Sequence, residues 1–505
     1  MKKTTLAVGV IAILGLSYVG IAWHTGNLIE SNLDKSLTQV TEQFNNSQNV
    51  FKINISHSND EKHLFSTKTH INMTLSSKDG SFADVLTLAD KDFTIHHGPL
   101  PIAALKQGIF SPQMAWVEYE TSEESNPLLW KTNGNRPFIT GYISLDYSNN
   151  IIIKLFSRKI IHHRETDNHI KFESELGNGN FTFISNIDSA IPSITLNLDR
   201  FHTKKSVQYI TLDKLHIDLD GEKQSNMIRY NLNLDSLKTN LKDIYFNYEY
   251  DYDKPDNNTF LIENLKANGI IDYVNQNITL NTNLDKFSLM AESDEQLPST
   301  KLDKLSIKQK IDLSDTRVLN GSFTCSVDSI LYGQQNLGNA NIDIDYQGID
   351  KALFGDGFIN GDATDNQPIH SKIELKQLNW HNLDGDINIS GITTINNFDN
   401  TMLDDDNLNR INSFKLNIDA PLKVLARSYA QFHHPENNEL TEQQLNESKQ
   451  IVKNLYQQIL NNSPLFKYNK GDEQGIFTNI DIPNNSGQAN VNGDIFNKDD
   501  MLSLF

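Results

Sequence analysis

Apolar and polar residues alternate with a period of two over most of the chain, from about residue 50 to residue 419. In one representative segment, Ile194, Leu196 and Leu198 are separated by polar residues. This alternation is typical of antiparallel strands with one covered face and one solvated face. We therefore predict that residues 47–420 form an antiparallel, β-rich domain.

Short polar sequences separate the alternating segments and predict hairpin turns. Strands do not alternate with long helical segments, so parallel α/β folds are disfavoured. The pairs that best fit tight turns are Asp220-Gly221, Asn320-Gly321 and Asp384-Gly385.

Near the end of the chain, the apolar residues no longer alternate with polar ones and recur instead at the spacing of a helix. Pro421 suits the first position of a helix, and Thr441 to Gln444 reads T-x-x-Q, the pattern of a capping box. We predict a helical pair over 421–462 that packs on the sheet, then strands and a short terminal helix over 463–505. The predicted fold class is mainly β: an extended, curved antiparallel sheet system with an N-terminal transmembrane and stalk helix and two covering helices near the C-terminus.

The N-terminus carries the longest apolar run in the sequence. Residues 5–23 are nineteen residues without a charge, which is about the length needed to cross a bilayer as a helix. Two lysines precede the run, and this charge asymmetry places residues 1–4 in the cytoplasm. We predict a signal-anchor helix that includes Leu6 and Trp23. The expected location is the bacterial inner membrane, with a single pass and the bulk of the chain in the periplasm.

Two points about this region stay open. Gly20 and Ala22 resemble a signal-peptidase site, so the run is either a retained anchor or a cleaved signal. Residues 24–46 carry an apolar stripe at helical spacing and predict an amphipathic stalk helix. The stalk either packs against the protein's own sheet or associates with a second copy of the chain.

Charge and cysteine content exclude several functions. The chain has 44 basic and 64 acidic residues and a net charge of -20, so it would repel a nucleic-acid backbone. Cys325 is the only cysteine, which rules out an intramolecular disulfide. Its place between Phe323 and Val327 in the alternating pattern indicates a thiol on the apolar face of a strand, and such a buried thiol is typically inert.

The sequence supplies no catalytic motif. The G-x-S-x-G, H-E-x-x-H and G-x-x-x-x-G-K patterns are missing, and glycosidase carboxylate pairs are defined only in space. The vicinal histidines His96-His97, His162-His163 and His433-His434 do not form chelating pairs, because neighbouring strand residues point to opposite faces. We accordingly assign no catalytic, cofactor-binding or metal-binding residues and expect a protein that is not an enzyme.

Three segments contain local motifs that combine glycine or proline with polar and aromatic residues. His97-Gly98-Pro99-Leu100-Pro101 is an H-G-P-h-P box, Trp380-His381-Asn382 precedes Gly385, and the C-terminus contains Gly487 and Asn492-Gly493. Together with the anchor and the helical pair, these segments resemble the YdgA-like family of bacterial envelope proteins. The resemblance implies an anchored, exported, β-rich domain and brings no catalytic residues. The residues that carry it are His97, Gly98, Pro99, Pro101, Trp380, Gly385, Gly487, Asn492 and Gly493.

Two functional hypotheses follow. In the first, the long sheet curls so that its apolar face shields acyl chains of lipid or of lipidated envelope material. In the second, the chain is an envelope scaffold or assembly factor that binds another membrane or periplasmic protein through strand edges or the stalk. In both, the partners expected are the membrane and an envelope component, without nucleic acid or cofactor.

Overall fold

The fold is that of a computed structural model. The residues that it describes are 41, 42, 45, 51–63, 66–78, 86–97, 101–124, 127–148, 150–165, 171–186, 193–205, 208–222, 226–242, 257–292, 298–351, 369–396, 410–469, 475–502 and 504.

Residues 1–23, which include the predicted transmembrane helix, and most of the predicted stalk lie outside the described residues. Three stalk residues, 41, 42 and 45, are helical. Of the helices that the structure does describe, none combines the length and the apolar character needed to cross a membrane.

Antiparallel strands dominate the described part of the chain, and every strand pair described there is antiparallel. This confirms the predicted mainly β, antiparallel fold class. The helices among the described residues are few, and two of them are longer than two turns. The chain divides into two compact units, Met1–Asp235 and Ser236–Phe505.

The first unit is a meander with one local rearrangement. Strands β1 to β6 pair in chain order, and β9 pairs with β6. β10 pairs with β9 through its first half, with β8 through its second half, and with β11 on its other edge; β7 pairs with β8. The elements are β1 (Phe51–Lys62), β2 (Ser66–Ser77), β3 (Leu86–His97), α1 (Ile102–Lys106), β4 (Gln113–Glu120), α2 (Pro127–Thr132), β5 (Ile139–Asp146), β6 (Asn150–Ser157), β7 (Ile160–Glu165), β8 (Lys171–Leu176), β9 (Gly179–Asn186), β10 (Ser193–Lys205) and β11 (Gln208–Glu222).

The core of the first unit lies among β1 to β6 and β9. Trp116 is fully buried, its ring stacks on Tyr142 with 4.2 Å between ring centroids, and Ala104 of α1 packs against it. Ile151 and Phe183 are also almost fully buried. Burying large side chains of this kind contributes about 1.5–3 kcal/mol each, so this end of the unit has a conventional core.

The second unit is a longer meander. Strands β13 to β20 pair in chain order, β22 pairs with β20, and β23 and β24 complete a C-terminal hairpin; β21 pairs with β22. β12 (Met227–Lys242) spans the boundary between the units. The other elements are β13 (Asn257–Asp272), β14 (Asn277–Glu292), β15 (Thr300–Asp312), β16 (Val318–Tyr332), β17 (Gln335–Asp350), β18 (His370–Asn382), β19 (Gly385–Asn396), β20 (Ile411–Ala420), α3 (Leu422–His433), α4 (Glu442–Asn462), β21 (Lys467–Tyr468), β22 (Ile476–Ile482), β23 (Gln488–Val491), β24 (Asp494–Asn497) and α5 (Lys498–Leu502).

Helices α3 and α4 begin at or next to the residues that predicted their starts, Pro421 and Thr441. Pro421 is the N-cap of α3, one residue before the predicted position. Thr441 caps α4 as predicted: its hydroxyl accepts from the Gln444 backbone N–H at 3.2 Å, and its own N–H donates to Gln444 Oε1 at 2.9 Å. This reciprocal capping box satisfies two N–H groups that the helix itself leaves unbonded.

Two buried clusters form the core of the second unit at its C-terminal side. One joins α3, α4 and the start of β22, and its most buried members are Leu422 and Tyr456. The other joins β22, β23 and α5 around Ile480 and Met501. The strands that precede β20 contribute few fully buried side chains, so the core is concentrated at one end of this sheet.

Candidate functional site

The apolar face of strands β14 to β19 lies outside the two buried clusters of the second unit. We define it by the apolar side chains that stand opposite one another across five successive strand pairs. In its central row, Ile307 pairs with Cys325, and Cys325 pairs with Ile342. The row continues through Leu378 to Ile389. Directly opposed residues point to the same side of a sheet, so these side chains form one continuous surface.

Two neighbouring rows widen this surface. One row passes through Leu284, Leu305, Val327, Ala340 and Trp380. The other contains Leu280, Gln309, Phe323, Ile344 and Leu375. The face is therefore at least three rows deep and six strands wide. Its polar members are Gln309 and Thr282, which stands opposite Ile307 at the β14 end of the central row.

Most of this face is only partly buried. Leu284 and Val327 are exposed by 6% and 9%, whereas Ile307, Cys325 and Ile342 all keep a larger exposed fraction. Two sheets packed face to face would bury the central row of each completely. The apolar face thus retains accessible hydrophobic surface, which makes it a candidate site for binding.

Cys325 lies at the centre of the apolar face. It is half-buried, and this burial raises the pKa of its thiol above the usual value. A raised pKa lowers the thiolate fraction at neutral pH, which agrees with a packing role and not with a nucleophile. The location on the apolar face was predicted from the alternating sequence.

Helix α3 covers one end of the apolar face. The Phe432 ring approaches Tyr332, with 5.3 Å between ring centroids, and meets Trp380 edge-on at 6.5 Å. Trp380 also donates from Nε1 to the Leu337 carbonyl at 2.8 Å. Phe432 nevertheless remains 45% exposed, so the aromatic cluster forms a border of the apolar face and is itself accessible.

The hairpin between β18 and β19 holds α3 in place. The buried Asn382 amide donates to the Val424 carbonyl at 3.0 Å and to Ser428 Oγ at 3.1 Å. Asp384 pairs with Arg427 at 2.7 Å. Gly385 has a φ of 132°, and a Cβ there would lie 3.3 Å from Val424 Cγ2. The Trp380 to Gly385 motif therefore docks the helix on the sheet.

The C-terminal motif forms a turn. Asn492 and Gly493 have φ values of 53° and 94° and connect β23 to β24, which fits the two-residue hairpin turn that Asn-Gly favours. The Asn492 amide oxygen accepts from the Asn479 N–H at 2.7 Å, and its amide nitrogen donates to the Leu465 carbonyl at 2.8 Å. Gly487 is exposed, and its carbonyl accepts from the Lys498 N–H at 3.0 Å.

The H-G-P-h-P box is described only at its two ends; Gly98 and Pro99 lie outside the described residues. The backbone of His97 closes β3 opposite Ala115. Pro101 is buried, and its carbonyl accepts the Leu105 N–H at the start of α1. The box thus leads from a strand into the short helix that covers Trp116.

Sequence reasoning missed two glutamines that connect the sheet to α3 and to the segment between α3 and α4. Gln431, buried in the helix, donates to the Asn336 carbonyl at 2.6 Å, and Gln335 donates to the Asn437 carbonyl. A polar residue between Ala430 and Phe432 in a helix is the signal that could have identified the first contact.

Several ionisable groups among the described residues have shifted pKa values because they form surface ion pairs. Within the part of the chain that the structure describes, no group of three or more His, Cys, Asp or Glu side chains is arranged to hold a metal ion. The most connected cluster is on β2 and β3, where Asp92 Oδ1 lies 2.9 Å from His70 Nδ1 and Asp90 Oδ1 lies 3.0 Å from His70 Nε2. These hydrogen bonds, that of Asp92 first, raise the pKa of His70 above 6.5.

This cluster predicts a pH-dependent stability. Because the pKa of His70 is raised in the folded state, its stabilising contribution is complete below the unfolded value of 6.5 and is lost as pH rises through the folded value. We expect the wild-type melting temperature to fall from pH 6 to about pH 8, and His70→Gln to reduce that fall. The measurement is the melting temperature of the wild type and of His70→Gln, determined by thermal unfolding at several pH values across this pH range. An identical pH dependence in the two proteins would contradict the assignment.

Comparisons with known proteins agree with the family resemblance. The model of a family described as "Bacterial protein of unknown function (DUF945)" matches residues 1–355. The chain is 25% identical to Protein YdgA of Escherichia coli (strain K12) over 295 residues, which are 56% of this chain and 55% of YdgA. It is 26% identical to the uncharacterized protein YihF of the same organism over 137 residues, 26% of this chain and 28% of YihF. The matches thus span about half of the first relative and about a quarter of the second. No solved structure matches the chain.

Proposed function

The chain belongs to the DUF945 family of bacterial proteins of unknown function, and we propose that it is a non-enzymatic envelope protein that binds acyl chains on the apolar face of β14 to β19. Lipid or lipidated envelope material would supply these chains. The name of the family assigns no activity, so the proposal rests on the surface chemistry of the chain itself.

One observation carries the proposal: the central row of the apolar face is continuous and only partly buried. Ile307, Cys325 and Ile342 present adjoining aliphatic and thiol groups without a hydrogen-bonding atom between them apart from the weakly polar sulfur. Covering such a surface with an acyl chain gains about 0.8 kcal/mol for each methylene removed from water. A polar ligand would gain nothing comparable there.

The N-terminal sequence supports a membrane-proximal location. The uncharged run over residues 5–23, preceded by two lysines, has the composition of a signal anchor with the chain on the outer side. We propose that this segment anchors the protein in the bacterial inner membrane, with its body in the periplasm. In that position the apolar face would have a lipid source beside it.

Lipid extraction tests the proposal. Full-length chain purified in a mild detergent should carry acyl lipid that native mass spectrometry detects as defined mass additions. Ile342→Asp should remove most of this lipid, because a carboxylate on the central row would be desolvated by the acyl chain. Ile342→Thr keeps the β-branched shape and should reduce the lipid by a smaller amount.

Asn341→Asp is the matched control, since Asn341 is the neighbouring residue on the opposite, polar face of β17. It should retain the lipid of the wild-type chain. A folded wild-type chain without bound lipid would contradict the proposal and favour the scaffold alternative. In that alternative, Ile451 and Leu455 would be the contact residues, because they lie one turn apart on α4 and are 46% and 50% exposed.

A further inference from the structure

A second surface lies on the polar side of the same unit, beside Ile389 at the end of the apolar face, which also contributes to its lining. Side chains of β18, β19, β20 and β22, together with β21, enclose an open cleft of about 860 Å³. We call it the asparagine cleft, after Asn388, Asn417 and Asn479, which contribute to its lining. Its volume is within the range of about 300–1,000 Å³ that is typical of ligand pockets.

The amides of the cleft form a short hydrogen-bonded ladder across the sheet. Asn479 Nδ2 donates to Asn417 Oδ1 at 2.7 Å, and Asn417 Nδ2 donates to Ser390 Oγ at 3.4 Å. Asn388 Oδ1 accepts from Asn379 Nδ2 at 2.9 Å. Each bond fixes an amide orientation and leaves other donors and acceptors of that amide available. Within the described residues, the Asn388 amide nitrogen and the Asn479 amide oxygen have no further partner.

The charges of the cleft are already paired. Lys376 Nζ lies 2.8 Å from Asp345 Oδ2, and Lys467 Nζ lies 2.7 Å from Asp494 Oδ2. The third charged residue of the lining, Asp419, is an acid that accepts a hydrogen bond from Asn469 at 3.0 Å. A phosphate or carboxylate ligand would have to displace these aspartates from the lysines and would approach a third carboxylate. The cleft is therefore unfavourable for anions.

An aromatic ring completes the site. Phe477 lies in the cleft lining and is partly exposed. It stands opposite Asp419 and Lys467, so its ring is on the face of the sheet that carries Asn417 and Asn479. An accessible aromatic face next to oriented amides can hold a ligand that has apolar C–H faces and hydroxyl edges. A sugar ring has both.

We propose that the asparagine cleft binds an uncharged saccharide chain. The amides of Asn388 and Asn479 would hydrogen-bond its hydroxyl groups, and the ring of Phe477 would pack against a sugar face. Asp345, Asp419 and Asp494 would repel acidic polymers. This inference does not depend on acyl binding, since the amides of Asn388, Asn417 and Asn479 lie on the face of the sheet opposite to the central row of the apolar face.

Calorimetric titration of the full-length chain in lipid nanodiscs tests the proposal. The probes are hexa-N-acetylchitohexaose and maltohexaose, two uncharged hexasaccharides, with inorganic phosphate as the anionic probe. We expect one hexasaccharide to bind with a dissociation constant of about 1 mM or lower, and phosphate not to bind at that concentration. Phe477→Ala and Asn388→Ala should each weaken saccharide binding at least about fivefold, which corresponds to the loss of one ring contact or hydrogen bond.

Asn268→Ala is the matched control, because Asn268 is an exposed asparagine whose amide oxygen accepts from Asn281 on strands remote from the cleft. It should bind the saccharide as the wild type does. The proposal is overturned if neither hexasaccharide binds, if binding is equally strong in Phe477→Ala, or if phosphate binds and competes with the sugar. Circular dichroism of each variant ensures that a loss of binding is not a loss of fold.

Discussion

A long-chain fatty acid should slow the alkylation of Cys325 by about tenfold or more, because an acyl chain on the apolar face would cover this thiol. Cys325 is the only cysteine of the chain, so a maleimide reacts with this thiol alone and its labelling rate reports on this position. The flanking Ile307 and Ile342 would contact the same acyl chain. The measurement is the labelling rate of delipidated, amphipol-stabilised chain with and without palmitate, followed by intact mass spectrometry.

The control uses the adjacent residue on the other side of the sheet. In Cys325→Ser with Ser326→Cys, the thiol moves to the polar face, where its neighbours are Ser306 and Asn341. Palmitate should leave this thiol unprotected. Succinate, which has carboxylates but no long chain, should protect neither position. Equal protection of both thiols, or none at Cys325, would show that the acyl chain does not lie on the apolar face.

The period of the sequence was enough to predict the strands, because one-sided alternation has a direct structural meaning. Turn positions were harder. Asp384-Gly385 does lie at the β18–β19 turn, but Asp220-Gly221 and Asn320-Gly321 are within β11 and β16, so those two predictions are wrong. A Cβ on Gly321 would overlap the Lys310 carbonyl and lie 2.5 Å from the Tyr346 hydroxyl. That glycine marks a close approach of neighbouring strands and not a turn.

The two candidate surfaces could be predicted only in part. The sequence places Cys325 on an apolar strand face, but the alignment of Ile307, Cys325 and Ile342 depends on the register of three strands that turns and bulges fix. Partial burial depends on which distant elements cover the face. The asparagine cleft was not predicted, because Asn388 and Asn479 are 91 positions apart in the sequence and meet through β20.

Gly338→Ala should destabilise the second unit by about 2–4 kcal/mol, a large effect for the addition of one methyl group. Gly338 has a φ of 101°, a conformation that alanine adopts only with strain. The new Cβ would overlap the His381 carbonyl oxygen and lie 3.0 Å from the Asn382 Cα, so β17 and β18 would have to separate. Urea unfolding measures the free-energy change, and hydrogen exchange in β17 and β18 locates it.

The separation would also disturb the docking of α3, because the Leu337 carbonyl beside Gly338 accepts from Trp380, and Asn382 donates to Val424. Gly487→Ala is the matched control: Gly487 lacks a positive φ, and a Cβ there meets nothing within 4 Å. It should change stability by less than about 0.5 kcal/mol. If the two alanine variants were equally stable, the close approach of β17 to β18 at Gly338 would not exist in solution. The conclusion that the contact of β17 with β18 at Gly338 helps to hold α3 on the sheet would then be wrong.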